Sequence, residues 1–138
     1  MVDRARISRL LETLSDYRER LDALRTLPAD EYTGDQALAG RYLVQASAQI
    51  CIDLANHVIA SSGWRAPTDF RDAFTVLEEH DVLAPELAER MRALAGLRNR
   101  LVHMYEEIDD RIIHAALTEG LIELTEYARA IADLTKRK

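Results

Sequence analysis

Ile7, Leu10, Leu14, Tyr17, Leu21 and Leu24 recur at steps of three, four, three, four and three, with Arg, Glu and Asp among the residues between. At 3.6 residues per turn an α-helix gathers such a set on one side, and a strand scatters it over both faces. A helix with so apolar a stripe needs other helices to bury it, because isolated helices are marginal in water. The spacing predicts a first helix over residues 2–27, ended by Pro28, which brings no amide proton to a helical ladder. No stretch alternates as a strand would. With only 5 Gly and 3 Pro, and with Ala, Leu, Arg and Glu prominent, the rest of the chain is biased the same way.

Punctuation then divides the chain. Residues 28–34 read as a loop. A second helix is expected over 35–61, with Asp35 as its N-cap after Gly34 and Gly63 as its closing glycine. It is apolar on most sides from Tyr42 to Ala60, as a central helix would be. "WRAPTDF" reads as a turn, in which Thr68 or Asp69 caps a short third helix reaching Glu79. "HDVL" is a link. Pro85 opens a fourth helix at a favoured first-turn position, and this helix runs to about His103. "MYEEIDD" reads as a loop. The last helix is expected over 109–135, before a frayed basic tail, "KRK". Without repeats, low-complexity segments or a linker, this is one domain over residues 1–138, an all-α bundle of four long helices plus a short one. A homodimer is the expected assembly.

Composition narrows the function. The net charge of −6 counts against a general nucleic-acid coat, which needs a positive balance, but leaves room for a small basic cleft. The single cysteine, Cys51, lies in an apolar run and is expected as a small buried hydrophobe in a reducing compartment. The N-terminus lacks the apolar core of a signal peptide, and no segment approaches the ~20 apolar residues of a membrane span. A cytoplasmic protein with no membrane partner is expected.

Several residues break the helical pattern. On the fourth helix Leu87, Met91 and Leu94 lead to Leu101, and the position missing from the series holds Arg98. A guanidinium on or beside a buried stripe keeps its charge and needs a partner or a wet cleft, so it is either a structural ion pair or a binding group. Asn99 and His103 are four apart and share a face; the asparagine can orient the imidazole or contact a ligand. His103 can equally be a residue that closes the helix favourably to its dipole. Tyr105 lies just past the helix end, where tyrosines commonly serve packing. Gln45, Gln49, Asp53 and His57 form a polar ridge on the second helix, with Asn56 beside it. Asp53 and His57 are too few for a firm metal site, so a hydrogen-bond network that supports a site or an interface is the better expectation. His80 and His114 are isolated and expected to be solvated or packed. The run Glu106, Glu107, Asp109, Asp110 suits a helix start.

Taken together, "RNRLVHMY" has Arg98, four intervening residues, His103, one more, and Tyr105. This resembles the arginine–x4–histidine–x–tyrosine signature of the HepT-like toxins, a branch of the HEPN superfamily of helical ribonucleases. "RYLVQASAQICIDLANHVIA" is similar to that family's second helix. "DFRDAFTVLEEHDVLAPELAERMRALAGLRNRLVHMYEEID" is similar to its third and fourth helices with the connecting loop. The resemblance implies a HEPN-like fold and a cytoplasmic ribonuclease toxin, homodimeric with the signature near the interface. It also implies a small nucleotidyltransferase antitoxin, MntA, that attaches AMP to the signature tyrosine. On that basis Arg98 and His103 are catalytic, Asn99 is an adjacent polar support, Tyr105 accepts AMP, and the substrate is RNA. Asp53 and His57 are expected to support the site or the interface.

These residue types suit RNA cleavage without metal or cofactor. The RNA's own 2′-OH can attack the neighbouring phosphorus if one group takes its proton and another protonates the leaving oxygen. An imidazole does either task, and an arginine fork neutralises charge on the phosphate oxygens. One chain supplies one clear histidine, and a two-fold dimer would supply a base and an acid. The competing expectations are a non-catalytic helical partner of a nucleotidyltransferase, with substrate-binding or regulatory duties, and a purely structural bundle in which these polar residues are buried pairs.

Overall fold

A computed structural model of the chain describes residues 2–136, so most of the expected frayed tail lies outside the described residues. Five α-helices form the bundle: α1 (Arg4–Arg25), α2 (Gly34–Ser62), α3 (Phe70–Glu79), α4 (Pro85–His103) and α5 (Asp110–Lys136). No strand occurs among the described residues, and no helix there is long and apolar enough to cross a membrane.

Local chemistry sets each end. Asp3 caps α1 by accepting the Arg6 amide at 3.1 Å, so this helix starts two residues later than the apolar pattern suggested. The N-cap of α2 is Thr33 rather than Asp35, which sits inside the first turn. Gly63 closes α2 with φ of 71°, a left-handed conformation that suits glycine. Asp69 caps α3 by accepting the Asp72 amide at 2.7 Å. Asp109 accepts the Arg111 amide at 3.0 Å and so caps α5, which begins one residue later than expected. The connections 28–34 and 104–109 each contain a single 3-10 turn, Ala29–Glu31 and Tyr105–Glu107, where the sequence pattern gave only loop.

The apolar stripe of α1 is realised: Ile7, Leu14, Leu21 and Leu24 are buried. They pack on α2, which contacts all four other helices and lies at the centre of the core. Tyr127 on α5 donates its hydroxyl to the Cys51 carbonyl at 2.8 Å, a buried bond that ties α5 to α2. Cys51 is fully buried, as expected, and burial pushes its thiol up, which keeps it unreactive. His80 and His114 are both stacked, His80 on Trp64 at 3.9 Å and His114 on Tyr32 at 4.5 Å.

Arg65 braces α3 from outside. Its guanidinium donates to both Asp72 oxygens, at 2.8 and 2.9 Å, and to both Glu79 oxygens, at 2.9 and 3.0 Å. These bonds hold the Asp72 carboxyl well below its ordinary range and lower that of Glu79 as well. A carboxyl depressed in the folded state adds stability above its ordinary pKa, and that stability is lost as pH falls through the folded value. The pair is solvent-facing, so its effect at neutral pH is small. Thermal unfolding followed across pH is expected to show the melting temperature falling below about pH 4, where these carboxyls begin to protonate in the unfolded chain. The fall should be shallower in Arg65→Ala; equal slopes would remove Arg65 from the account.

Candidate functional site

The fourth helix carries Arg98, Asn99 and His103, and Tyr105 follows it. Its buried side consists of Leu87, Ala88, Met91, Ala95, Gly96 and Leu101, with Leu94 only half-buried. The buried stripe therefore runs through Ala95 and Gly96, and Arg98 lies at its edge. Small residues explain the shift. They let α3 approach, and the Arg71 guanidinium occupies the space a Cβ on Gly96 would fill.

Arg98 is half-buried and held from three sides. Its Nε donates to Gln49 Oε1 on α2 at 3.1 Å, and Nη1 donates to Asn99 Oδ1 at 3.2 Å. The guanidinium carbon sits 5.1 Å from the centre of the Phe70 ring at the start of α3, a cation–π contact. Gln49 is itself fixed, since its Nε2 donates to Asp53 Oδ1 at 2.9 Å. A carboxylate only accepts and a guanidinium only donates, so Asp53 and Arg98 together dictate which way the Gln49 amide faces. The result is a relay, Asp53–Gln49–Arg98–Asn99, that immobilises the cation. Nη2 makes no hydrogen bond among the described residues, so donors remain for a phosphate.

Asn99 therefore serves Arg98 and is not bonded to His103, although the helical spacing allowed that. His103 is exposed, at the last position of α4. It lies five positions after Arg98, which puts the two about 7.5 Å apart along the axis and roughly 140° apart around it. His57 does not join the relay. Its Nε2 accepts the Asp3 backbone amide at 3.0 Å, which pins the start of α1 to α2. Asp53 and His57 thus have separate partners despite sharing a ridge.

Tyr105 opens the 3-10 turn after α4 and is 59% exposed. Arg41 on α2, absent from the sequence-level candidates, holds this segment. It donates to the Tyr105 carbonyl at 3.0 Å and makes a two-point ion pair with Asp110, at 2.7 and 3.0 Å. Phe70 was also missed, because it reads as the end of a turn. No local spacing signals either residue, since both act across the bundle.

In front of Arg98 lies an open groove of about 330 Å³, bordered by Tyr17, Tyr42, Gln45 and Gln49. Leu38 (62%) and Tyr42 (58%) are large apolar residues exposed on the same face of α2. Arg98 is the only one of the three signature residues that lines this groove; His103 and Tyr105 stand exposed at the end of α4 and just after it.

The bundle has the HEPN fold. It superposes on the tri-AMPylated HEPN toxin of Shewanella oneidensis, solved in complex with MNT antitoxin, with a TM-score of 0.84 at 22% identity, over 92% of this chain and 96% of that one. The family model described as "Ribonuclease HepT-like" matches residues 7–131. A tRNA nuclease HepT from Aphanizomenon flos-aquae is 32% identical over 124 residues, covering 88% of this chain and 84% of that protein. An mRNA nuclease HepT from S. oneidensis is 33% identical over 72 residues, covering 51% of this chain and 54% of that protein. The chain belongs to the HepT-like ribonuclease family.

Proposed function

We propose that this chain is a cytoplasmic ribonuclease toxin, silenced when an MntA-type nucleotidyltransferase attaches AMP to Tyr105. The observation that carries the reading is the immobilised Arg98 with donors to spare, followed on the same helix by an exposed His103. Family membership and the relatives' named activities support it.

In the proposed reaction the 2′-oxygen of RNA bonds to the adjacent phosphorus and the bond from phosphorus to the 5′-oxygen breaks. The products are a 2′,3′-cyclic phosphate and a free 5′-hydroxyl. Arg98 stabilises the charge on the non-bridging oxygens. His103 moves a proton, either from the attacking hydroxyl or to the leaving oxygen, and no metal is required. One chain supplies one such histidine, and a two-fold dimer that brings two copies of His103 to one cleft supplies both proton transfers, a base and an acid. The exposed Leu38 and Tyr42 offer that second copy an apolar surface. A mixed dimer of wild-type and His103→Ala subunits with full activity would count against this arrangement.

Silencing follows from placement. The Tyr105 phenol oxygen attacks the α-phosphorus of ATP, pyrophosphate leaves, and the phenolic proton is lost. Each AMP adds a negative phosphate next to the site, which blocks RNA and repels it.

The test is cleavage of total cellular RNA in EDTA by folded protein whose intact mass shows no modification. Wild type and Tyr105→Phe are both expected to cut. After incubation with an MntA-type enzyme and ATP, wild type should fall silent and Tyr105→Phe should remain active. No cleavage by unmodified wild type would favour the non-catalytic binding partner, and cleavage only with added divalent metal would overturn the metal-independent step.

A further inference from the structure

We propose that Arg41 is the positioning residue for the modification of Tyr105, an inference that rests on the reading of Tyr105 as the AMP acceptor. The segment 104–109 joins α4 to α5, and its own hydrogen bonds are local: Glu107 N to Met104 O at 3.0 Å and Ile108 N to Tyr105 O at 3.3 Å. Arg41 ties it to another helix. One guanidinium donates to the Tyr105 carbonyl at 3.0 Å, to the Ile108 carbonyl at 3.4 Å and to both oxygens of Asp110.

The clamp has a rigid base. Arg41 sits on the central helix, and its side chain and that of Asp110 are only 24% and 29% exposed. Bonding to the Asp110 carboxylate pushes the Arg41 guanidinium further up, so it stays charged at any pH at which the protein works. Asp110 is the first residue of α5, and one turn on, His114 Nε2 donates to the Leu24 carbonyl at 3.2 Å and its ring stacks on the buried Tyr32 ring. Tyr32 in turn fits against Gly40, where any Cβ would collide with its hydroxyl. The first turn of α5, the end of α1 and the early part of α2 are thereby locked together, and Arg41 extends that lock to the backbone of Tyr105.

The Tyr105 side chain itself is exposed and makes no hydrogen bond among the described residues. Its presentation to an incoming enzyme and ATP is therefore set by its backbone. Phosphoryl-type transfer is sensitive to placement, and an ångström of drift in a reacting group costs about 100-fold in rate. Arg98 and His103 are placed differently, on α4, by the Gln49 bond, the Phe70 ring and the helix itself. Removal of Arg41 should uncouple control from cleavage: a toxin that still cuts RNA and resists silencing.

The experiment compares wild type, Arg41→Ala and Arg41→Lys for AMP transfer by an MntA-type enzyme, RNA cleavage, thermal unfolding and amide exchange over residues 104–109. Arg41→Ala is expected to lose about tenfold or more in kcat/KM for AMP transfer and to keep RNA cleavage within about threefold. Arg41→Lys keeps the charge but not the fork and should fall between the two. Guanidinium ion added below denaturing concentration should restore transfer to Arg41→Ala, which a general loss of structure would not permit. Transfer to Arg41→Ala at the wild-type rate, or a parallel loss of transfer, cleavage and thermal stability, would overturn the positioning role. Wild type that accepts no AMP at Tyr105 would sink the acceptor reading and this role with it. In that case amide exchange over 104–109 still decides the clamp, which is refuted if Arg41→Ala leaves it unchanged.

Discussion

His103→Ala should abolish RNA cleavage while leaving the bundle intact. General acid–base catalysis contributes typically 10²–10⁴-fold, so a loss on the order of 1,000-fold in kcat is expected. His103 is exposed at the end of α4 and supports no buried contact. Its stability contribution is limited to a favourable interaction with the helix C-terminus, about 0.3–1 kcal/mol when charged. Cleavage of a defined RNA by the two proteins, with their thermal unfolding curves, separates the outcomes. A variant that melts like wild type and does not cut places His103 in the chemistry. A variant that cuts at the wild-type rate removes it. A collapse of both would indicate a structural histidine, contrary to its exposure.

Much of the fold was legible because its determinants are local. The stripe from Ile7 to Leu24, the all-round apolar character of α2, Pro85 and Gly63 are signals that act within a turn or two, and helix ends fell within two residues of expectation. The two 3-10 turns were not, because they are set by how α1 is joined to α2 and α4 to α5. At the site, chain position alone gave the residue types but not their partners. Helical spacing paired Asn99 with His103 and Asp53 with His57; the structure pairs Asn99 with Arg98, Asp53 with Gln49, and His57 with the Asp3 amide. Arg41 and Asp110 are 69 positions apart in sequence, and their ion pair depends on packing that no single helix encodes. A periodic pattern reports which face a residue occupies, and what covers that face is decided by the other helices.

Arg98→Ala carries the second large effect, and here loss of chemistry must be separated from loss of structure. Removing the guanidinium takes away the donors available to a phosphate, and deletion of one such electrostatic stabiliser costs about 10²–10³-fold in kcat. It also leaves Gln49 Oε1 and Asn99 Oδ1 without their donor in a half-buried setting and uncovers the Phe70 ring. That adds about 1–3 kcal/mol of destabilisation. Gln49→Leu isolates the second effect, since it releases Arg98 from α2 but keeps the cation; its kcat should drop less than that of Arg98→Ala. Arg98→Lys tests the fork: an ammonium can replace one bond but cannot hold Gln49, Asn99 and a phosphate together. Its thermal stability should lie near wild type, with kcat still down by about tenfold or more. Steady-state kinetics and thermal unfolding of the three variants settle the point. Full activity in Arg98→Lys would reduce the role to charge alone. Equal losses in Gln49→Leu and Arg98→Ala would mean that an arginine not held by the relay contributes nothing.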